Sequence, residues 1–270
     1  MPRADTDNPL AGRTVLAIFA HPDDESIACG GTLARLSDAG VRVVLLCASH
    51  GESGSISDPA LVPDGDLGSV RANELRQAAR VLGIADVEVL NHPDGDLRWA
   101  DVQAFHKEIV GAIERFNPDA VITFGDDGLY WHLDHIGVHE RTSTAVLSLG
   151  AAAPPLYCVT MAPGAMRQVA EAAVAKGRAS ARSGFWGIEP SAFGEGAKPP
   201  TVIVDVREWI LRKLAAIRSH RTQMGANNLF ATLDETDARR WLGMEHFYRA
   251  PIQSSGEPLL EQLNEPAIKS

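Results

Sequence analysis

The sequence predicts an α/β fold: a doubly wound, mostly parallel sheet flanked by helices, Rossmann-like in layout. Three observations lead there. Short apolar runs rich in Val, Ile and Leu alternate with longer stretches of helical periodicity. Several of these runs are apolar throughout, the pattern of strands covered on both faces. Polar residues also cluster directly after two of them, where open α/β sheets bind ligands.

The elements follow in order. The first strand is expected at Thr14–Ala20 (TVLAIFA), then a helix over Glu25–Ala39. Val41–Ala48 (VRVVLLCA) is the second strand. A helix over Ser69–Leu82 comes next, with Ser69 as N-cap and Gly83 as the C-terminal stop. Val87–Leu90 is a short strand and Asp101–Phe116 a helix; Pro118 separates that helix from the strand Ala120–Phe124 (AVITF). Helices over Asp134–Leu149, Ala165–Ala175 and Arg207–Ser219 alternate with strands at Leu156–Thr160 and Thr201–Val204. Two connections, 49–68 and 178–200, exceed the usual loop length and are candidates for lids or binding loops. The second carries Phe185, Trp186 and Phe193, read either as packing for the loop itself or as a substrate wall. The polar tail after Ala250 is expected to be partly ordered at best. With no repeat and no linker, 1–270 reads as one domain.

Hydrophobic residues make up 45% of the 270, enough for a sizeable core. There are 25 Lys and Arg against 35 Asp and Glu, a net charge of −10, with no basic run. That balance argues against a nucleic-acid partner. Cys29, Cys47 and Cys158 are odd in number, far apart and form no CxxC, which argues against both a disulfide framework and a cysteine zinc site. Reduced thiols in a cytoplasmic protein are the expected reading, with Cys47 a core residue. Met1–Asn8 is polar with no signal-peptide core, and no run nears the about 18 apolar residues of a membrane helix. A soluble protein with no membrane partner is expected; a homo-oligomer is compatible with the sequence.

The chemistry lies in two clusters. The first strand runs straight into Ala20-His21-Pro22-Asp23-Asp24-Glu25. Pro22 fixes φ, so the cluster is held stiffly. An acidic helix start would account for Asp24 or Glu25 alone, but not for a His and two Asp together. The strand Ala120–Phe124 is followed by Gly125-Asp126-Asp127-Gly128-Leu129-Tyr130-Trp131-His132-Leu133-Asp134-His135. His132 and His135 share a face if they open the next helix. Imidazole and carboxylate donors without thiolate suit Zn²⁺, and also Fe²⁺. The donors are in surplus, which a hydrolase needs so that a base and an oxyanion stabiliser stay off the metal. Were His132 itself a fourth ligand, the site would be closed and structural. Asp134 beside it is expected to hold the ring protonated and off the metal.

AHPDDE near the N-terminus with HLDH further along resembles the PIG-L/LmbE family of metal-dependent de-N-acetylases. Weaker matches extend along the chain: Cys29-Gly30-Gly31-Thr32-Leu33, Ser49-His50-Gly51-Glu52, Arg71-Ala72-Asn73-Glu74-Leu75, His92-Pro93-Asp94-Gly95, and Lys213 with His220-Arg221-Thr222-Gln223. The resemblance implies His21, Asp24 and His135 as metal ligands and Asp23 as general base. It implies that His132 stabilises the oxyanion or protonates the leaving amine, oriented by Asp134, and that Tyr130 helps polarise the carbonyl. Arg71 and Asp94 match sugar-binding positions. Leu133 departs from the family's usual Pro, which loosens the turn without removing a functional group. His139 has no family role and reads as a helix-surface residue.

Both lines imply a hydrolase that removes an acetyl or other acyl group from the nitrogen of a small, neutral or weakly charged amino-sugar substrate. An amidase of the same family acting on a mycothiol-like conjugate is the nearest alternative. A metal-binding pseudoenzyme is disfavoured because Asp23 and His132 are both present. A nucleotide-binding α/β module is disfavoured because His and Asp, not G-x-G-x-x-G, follow the first strand.

Overall fold

The computed structural model describes residues 8–178, 184–225, 228–254 and 256–264. Strand β1 (Thr14–Phe19) leads through helix α1 (Asp24–Asp38) to β2 (Arg42–Cys47), and α2 (Leu67–Leu82) leads on to β3 (Asp86–Val89). The chain returns by α3 (Val102–Phe116) to β4 (Ala120–Phe124), then passes through α4 (Gly128–Trp131) and α5 (Leu133–Ser148) to β5 (Leu156–Thr160). Helix α6 (Ala165–Ala175), strand β6 (Val202–Asp205), helices α7 (Ile210–Ser219), α8 (Leu229–Thr232) and α9 (Glu235–Trp241), and strand β7 (Met244–Arg249) complete the order.

The seven strands lie in the order β3-β2-β1-β4-β5-β7-β6. Strands β1 to β5 pair in parallel, Phe19 opposite Cys47 and Ala17 opposite Ile122, and β7 runs antiparallel between β5 and β6. The expected mostly parallel, helix-flanked sheet is therefore present. Helices α1, α2 and α7 pack together in one layer, α3 and α5 in another. Strands β1, β2, β4 and β5 are buried along nearly their whole length, which is why their sequences are apolar throughout. From β1 the chain winds to β2 on one side, while β4 lies on the other. The carboxyl ends of β1 and β4 thus flank a topological switch point, where such sheets bind ligands.

A second apolar cluster lies apart from the sheet core. Met166 and Val169 of α6, Ile210, Leu214 and Ile217 of α7, and Phe185, Phe193 and Phe230 build it. Helix α1 is bent at Cys29 (φ −149°). The bend frees the amides of Gly31 and Thr32, and both donate to the Glu245 carboxylate at 2.9 and 2.6 Å. Glu245 also pairs with Lys213 at 2.5 Å.

The structure corrects several expectations. Helix α2 begins before Ser69: Asp66 is the N-cap, and Ser69 donates its amide to it at 3.0 Å. Gly83 ends that helix in the left-handed conformation (φ 79°), as expected. The helix expected from Arg207 begins at Ile210, after a single 3-10 turn. Strand β7 and helices α8 and α9 were not expected. Of the buried positions of β7, Glu245, Phe247 and Tyr248, the first is charged and interrupts the apolar pattern, and α8 and α9 span only 4 and 7 residues. The described stretch 256–264 of the tail packs onto the fold. Leu259 and Leu260 are buried, and Tyr157 Oη accepts from the Leu259 amide at 2.9 Å while donating to Glu261 at 2.5 Å. Within the 178–200 connection, 179–183 lie outside the described residues. All three cysteines are buried and free. No helix among the described residues is long and apolar enough to cross a membrane.

Candidate active site

The two clusters meet at the switch point. After β1 the chain turns sharply, the His21 amide donating to Asp24 Oδ2 at 2.7 Å. Asp23 sits in this turn at φ 122°, a conformation that costs a non-glycine residue energy. After β4, Leu129 (φ 67°) and Trp131 (φ 65°) are also in the positive-φ region. Strain of this kind concentrates where side chains must be aimed. Gly128 is required here: a Cβ would stand 3.1 Å from that of His135.

His21, Asp24 and His135 are brought together and buried, their donor atoms all within 4.8 Å of one another. His21 Nδ1 lies 3.3 Å from Asp24 Oδ2, and His135 Nε2 lies 3.2 Å from Asp24 Oδ1. His135 Nδ1 is 3.1 Å from the Gly128 carbonyl, which can only accept, so Nδ1 carries the proton. In the neutral ring, Nε2 then turns a lone pair toward a carboxylate oxygen, and it has no hydrogen-bond partner. Two acceptors facing each other in a buried site call for a cation between them. These residues therefore fit a divalent metal.

The charges around His21 reinforce this. Its Nε2 lies 3.0 Å from both Asp94 and Asp134. Burial opposes a proton on the ring, but Asp134, Asp24 and Asp94 outweigh it and push its pKa well above the ordinary value. Burial would likewise raise the three carboxyls. A positive charge on the His135 and His21 rings, the charge a bound cation would replace, nonetheless holds Asp24 well below the usual range; His21 draws Asp94 down to about 2, and His21 with the Gly95 and Leu97 amides lowers Asp134. A carboxylate on the far nitrogen of a metal-binding imidazole fixes its tautomer and raises its basicity.

Asp23 stands apart from this cluster. It meets Arg71 Nη2 at 3.2 Å rather than an imidazole. Burial raises its carboxyl to about 6, Arg71 opposing and Asp24 adding to the shift. Arg71 is itself tied to the Gly51 and Pro22 carbonyls at 2.7 and 2.6 Å, so it serves as a brace for Asp23. Arg71 and Asp94 both line the cavity, and one Asp94 carboxylate oxygen is on His21 and the other on the Ser53 amide.

The expected pairing of Asp134 with His132 is not formed. The Asp134 carboxylate turns instead to His21 and accepts from the Gly95 and Leu97 amides at 2.7 and 2.9 Å. His132 is the N-cap of α5, its Nδ1 accepting from the Asp134 amide at 3.2 Å. Its proton is therefore on Nε2. Burial, with His135 and His21 adding to it, lowers its pKa to about 4, so the ring is neutral rather than protonated. Tyr130 packs edge-on to His132 and His135, and burial raises its phenol well above the ordinary value. His139 is not a surface residue: it donates from Nδ1 to the Phe124 carbonyl at 2.8 Å and is partly buried.

The family profile described as PIG-L, GlcNAc-PI de-N-acetylase, matches residues 16–146, a span that holds both clusters. A 1D-myo-inositol 2-acetamido-2-deoxy-alpha-D-glucopyranoside deacetylase of Acidothermus cellulolyticus is 31% identical over 261 residues, covering 87% of this chain and 88% of its own. The chain belongs to the PIG-L family. A second deacetylase of that name, from Catenulispora acidiphila, is 30% identical over 90% of both chains. Among solved structures, the N,N'-diacetylchitobiose deacetylase of Pyrococcus horikoshii superposes with a TM-score of 0.58 at 24% identity, over 88% of this chain and 84% of its own. The 4-carboxy-2-hydroxymuconate hydratase of Pseudomonas putida superposes at 0.62 with 20% identity, over 92% and 100%. These two likenesses establish the fold alone; a hydratase on the same fold means the chemistry must be argued from the site.

In this PIG-L member the cluster opens into a cavity of about 690 Å³. Side chains behind it make contacts that residue spacing did not reveal. Glu25 accepts the Asp23 amide at 3.1 Å, and its other oxygen is held by Ser26 Oγ at 2.5 Å and His220 Nε2 at 2.9 Å. Glu74 accepts from the amide and hydroxyl of Thr222 at 2.9 and 2.6 Å. The strained Asp23 turn is thus locked from behind by the segment after α7. The signal was the Lys213…His220-Arg221-Thr222-Gln223 match, which carried no role without tertiary contacts.

Proposed function

We propose that this chain is a metal-dependent hydrolase that removes the acetyl group from the nitrogen of an N-acetylated amino sugar carried in a small glycoside. The observation that carries the reading is the opposed pair of acceptors, His135 Nε2 and Asp24 Oδ1, with Asp23 beside them but unattached to either imidazole. The names of the curated relatives supply the substrate class.

His21, Asp24 and His135 would hold the cation, zinc first and Fe²⁺ second by donor type. When bound, it supplies a lowered pKa for water and polarisation of the amide carbonyl. Every other part falls to the protein. Asp23, with its carboxyl raised to about 6, takes the proton of the attacking water. The same carboxyl can return that proton to the departing nitrogen, so that acetate and a free amine leave. His132 is too weakly basic for that second task, but its Nε2–H is a fixed donor for the developing oxyanion. Tyr130 lines the same cavity and would be a second donor. Arg71 and Glu25 hold Asp23 in place, and Asp94 and Asp134 hold His21. Three separate free thiols support a reducing, cytoplasmic setting for this activity.

The test is to load the purified chain with zinc and, separately, with Fe²⁺. It is then offered an inositol glycoside of N-acetylglucosamine, N,N'-diacetylchitobiose and an N-acylcysteine amide conjugate. Matched release of acetate and primary amine from either sugar supports the reading. Turnover of the cysteine conjugate alone would make the chain an amidase instead.

A further inference from the structure

Two unlike sets of side chains are prominent in the cavity lining. One comprises the carboxylates, imidazoles and Arg71 described above. The other is apolar: Ile27 from α1, Met161 after β5, and Trp186 and Ile188 from the segment before β6. All four are partly buried and pack against the second apolar cluster, which lies apart from the sheet core. The wall is therefore a continuation of a hydrophobic core that stays open on the side of the site.

Nothing on this wall suits a polyol. Trp186 spends its indole N–H on the Gln223 carbonyl at 3.1 Å. Ile188 spends its amide on the Phe185 carbonyl at 2.9 Å, closing the turn that presents both side chains. Trp186 is held at φ 54°, an unfavourable conformation for a bulky residue. A pyranose can lie against an indole face, but Ile27, Met161 and Ile188 offer its hydroxyls no partner, and an unpaired hydroxyl removed from water is costly.

We propose that the substrate carries an alkyl or aryl group next to its amino sugar, seated on Ile27, Met161, Trp186 and Ile188. The inference rests on the hydrolytic reading above and narrows its substrate. The shared chemistry is an apolar chain or ring, reached either as the aglycone or as the acyl group on nitrogen. A methylene moved from water to an apolar wall is worth up to about fourfold in binding. A half-open wall captures part of that, so several methylenes together should give at least about tenfold.

The experiment compares kcat/KM of the metal-loaded enzyme across two series. One runs from methyl to hexyl glycosides of N-acetylglucosamine; the other runs from N-acetyl to N-hexanoyl glucosamine. The inositol glycoside is included as the polar reference. A rise of tenfold or more in the first series assigns the wall to the aglycone, and in the second to the acyl chain. Ile188→Ser should flatten whichever slope appears. Flat series, or preference for the inositol glycoside over the hexyl one, overturn the proposal while leaving deacetylation intact. If no compound is turned over, the hydrolytic reading falls, and titration of tryptophan fluorescence with methyl and hexyl glycosides still decides. Binding of the hexyl compound at least tenfold tighter supports the wall; equal binding overturns it.

Discussion

Lys213 and Glu245 form an ion pair 2.5 Å long with each side chain only 2% exposed. Glu245 also caps the second half of α1 through the Gly31 and Thr32 amides. Lys213→Met keeps most of the aliphatic stem and removes the ammonium, leaving a carboxylate buried with two amides and no counter-charge. Breaking a buried pair from one side costs about 3–5 kcal/mol. The α1 amides facing Glu245 offset about 1 kcal/mol of that. A net loss of about 2–4 kcal/mol is expected, which for a chain of this size lowers Tm by roughly 5–15 °C. Calorimetry or urea unfolding of the metal-saturated protein reads it directly. Lys213→Met with Glu245→Gln should recover at least about 1 kcal/mol, because the neutral amide oxygen still accepts from α1 without stranding a charge. A single variant within about 1 kcal/mol of the parent, or a double variant no better than the sum of the singles, would refute this account of the pair.

Three further outcomes are expected. Asp23→Asn should keep its bound metal by elemental analysis and lose about 10²–10⁴ in turnover, the usual worth of a positioned base; loss of metal would make Asp23 a ligand. His132→Ala and Asp134→Asn should separate cleanly: the first retains metal and loses about 10²–10³ in kcat, whereas the second weakens metal binding about 10–100-fold through His21. Equal metal retention in both would contradict the Asp134–His21 assignment. Gly31→Ala places a Cβ 2.5 Å from the Val206 side chain and should cost about 1–3 kcal/mol in urea unfolding; a neutral result would mean that contact yields freely.

The amino-acid sequence determined the sheet and the place of the site. Strands buried on both faces must be apolar throughout, so β1, β2, β4 and β5 announce themselves, and a polar cluster after such a strand has only the carboxyl edge of the sheet to occupy. It also separated Asp23 from Asp24 by resemblance, and the two do face different partners, Arg71 and the imidazoles. What it could not determine was who meets whom across long separations. Asp134 is two residues from His132 along the chain, but its carboxylate is drawn to His21, which lies 113 positions away, by an imidazole N–H and two amides from the turn after β3. Strand β7 was invisible because its buried Glu245 interrupts the apolar pattern, and Glu245 is tolerable only beside Lys213 and the freed amides of α1. Local pattern records which residues avoid water. The partners that let a charge avoid it are supplied by the fold, and that is why the buried carboxylates were legible as residues but not as contacts.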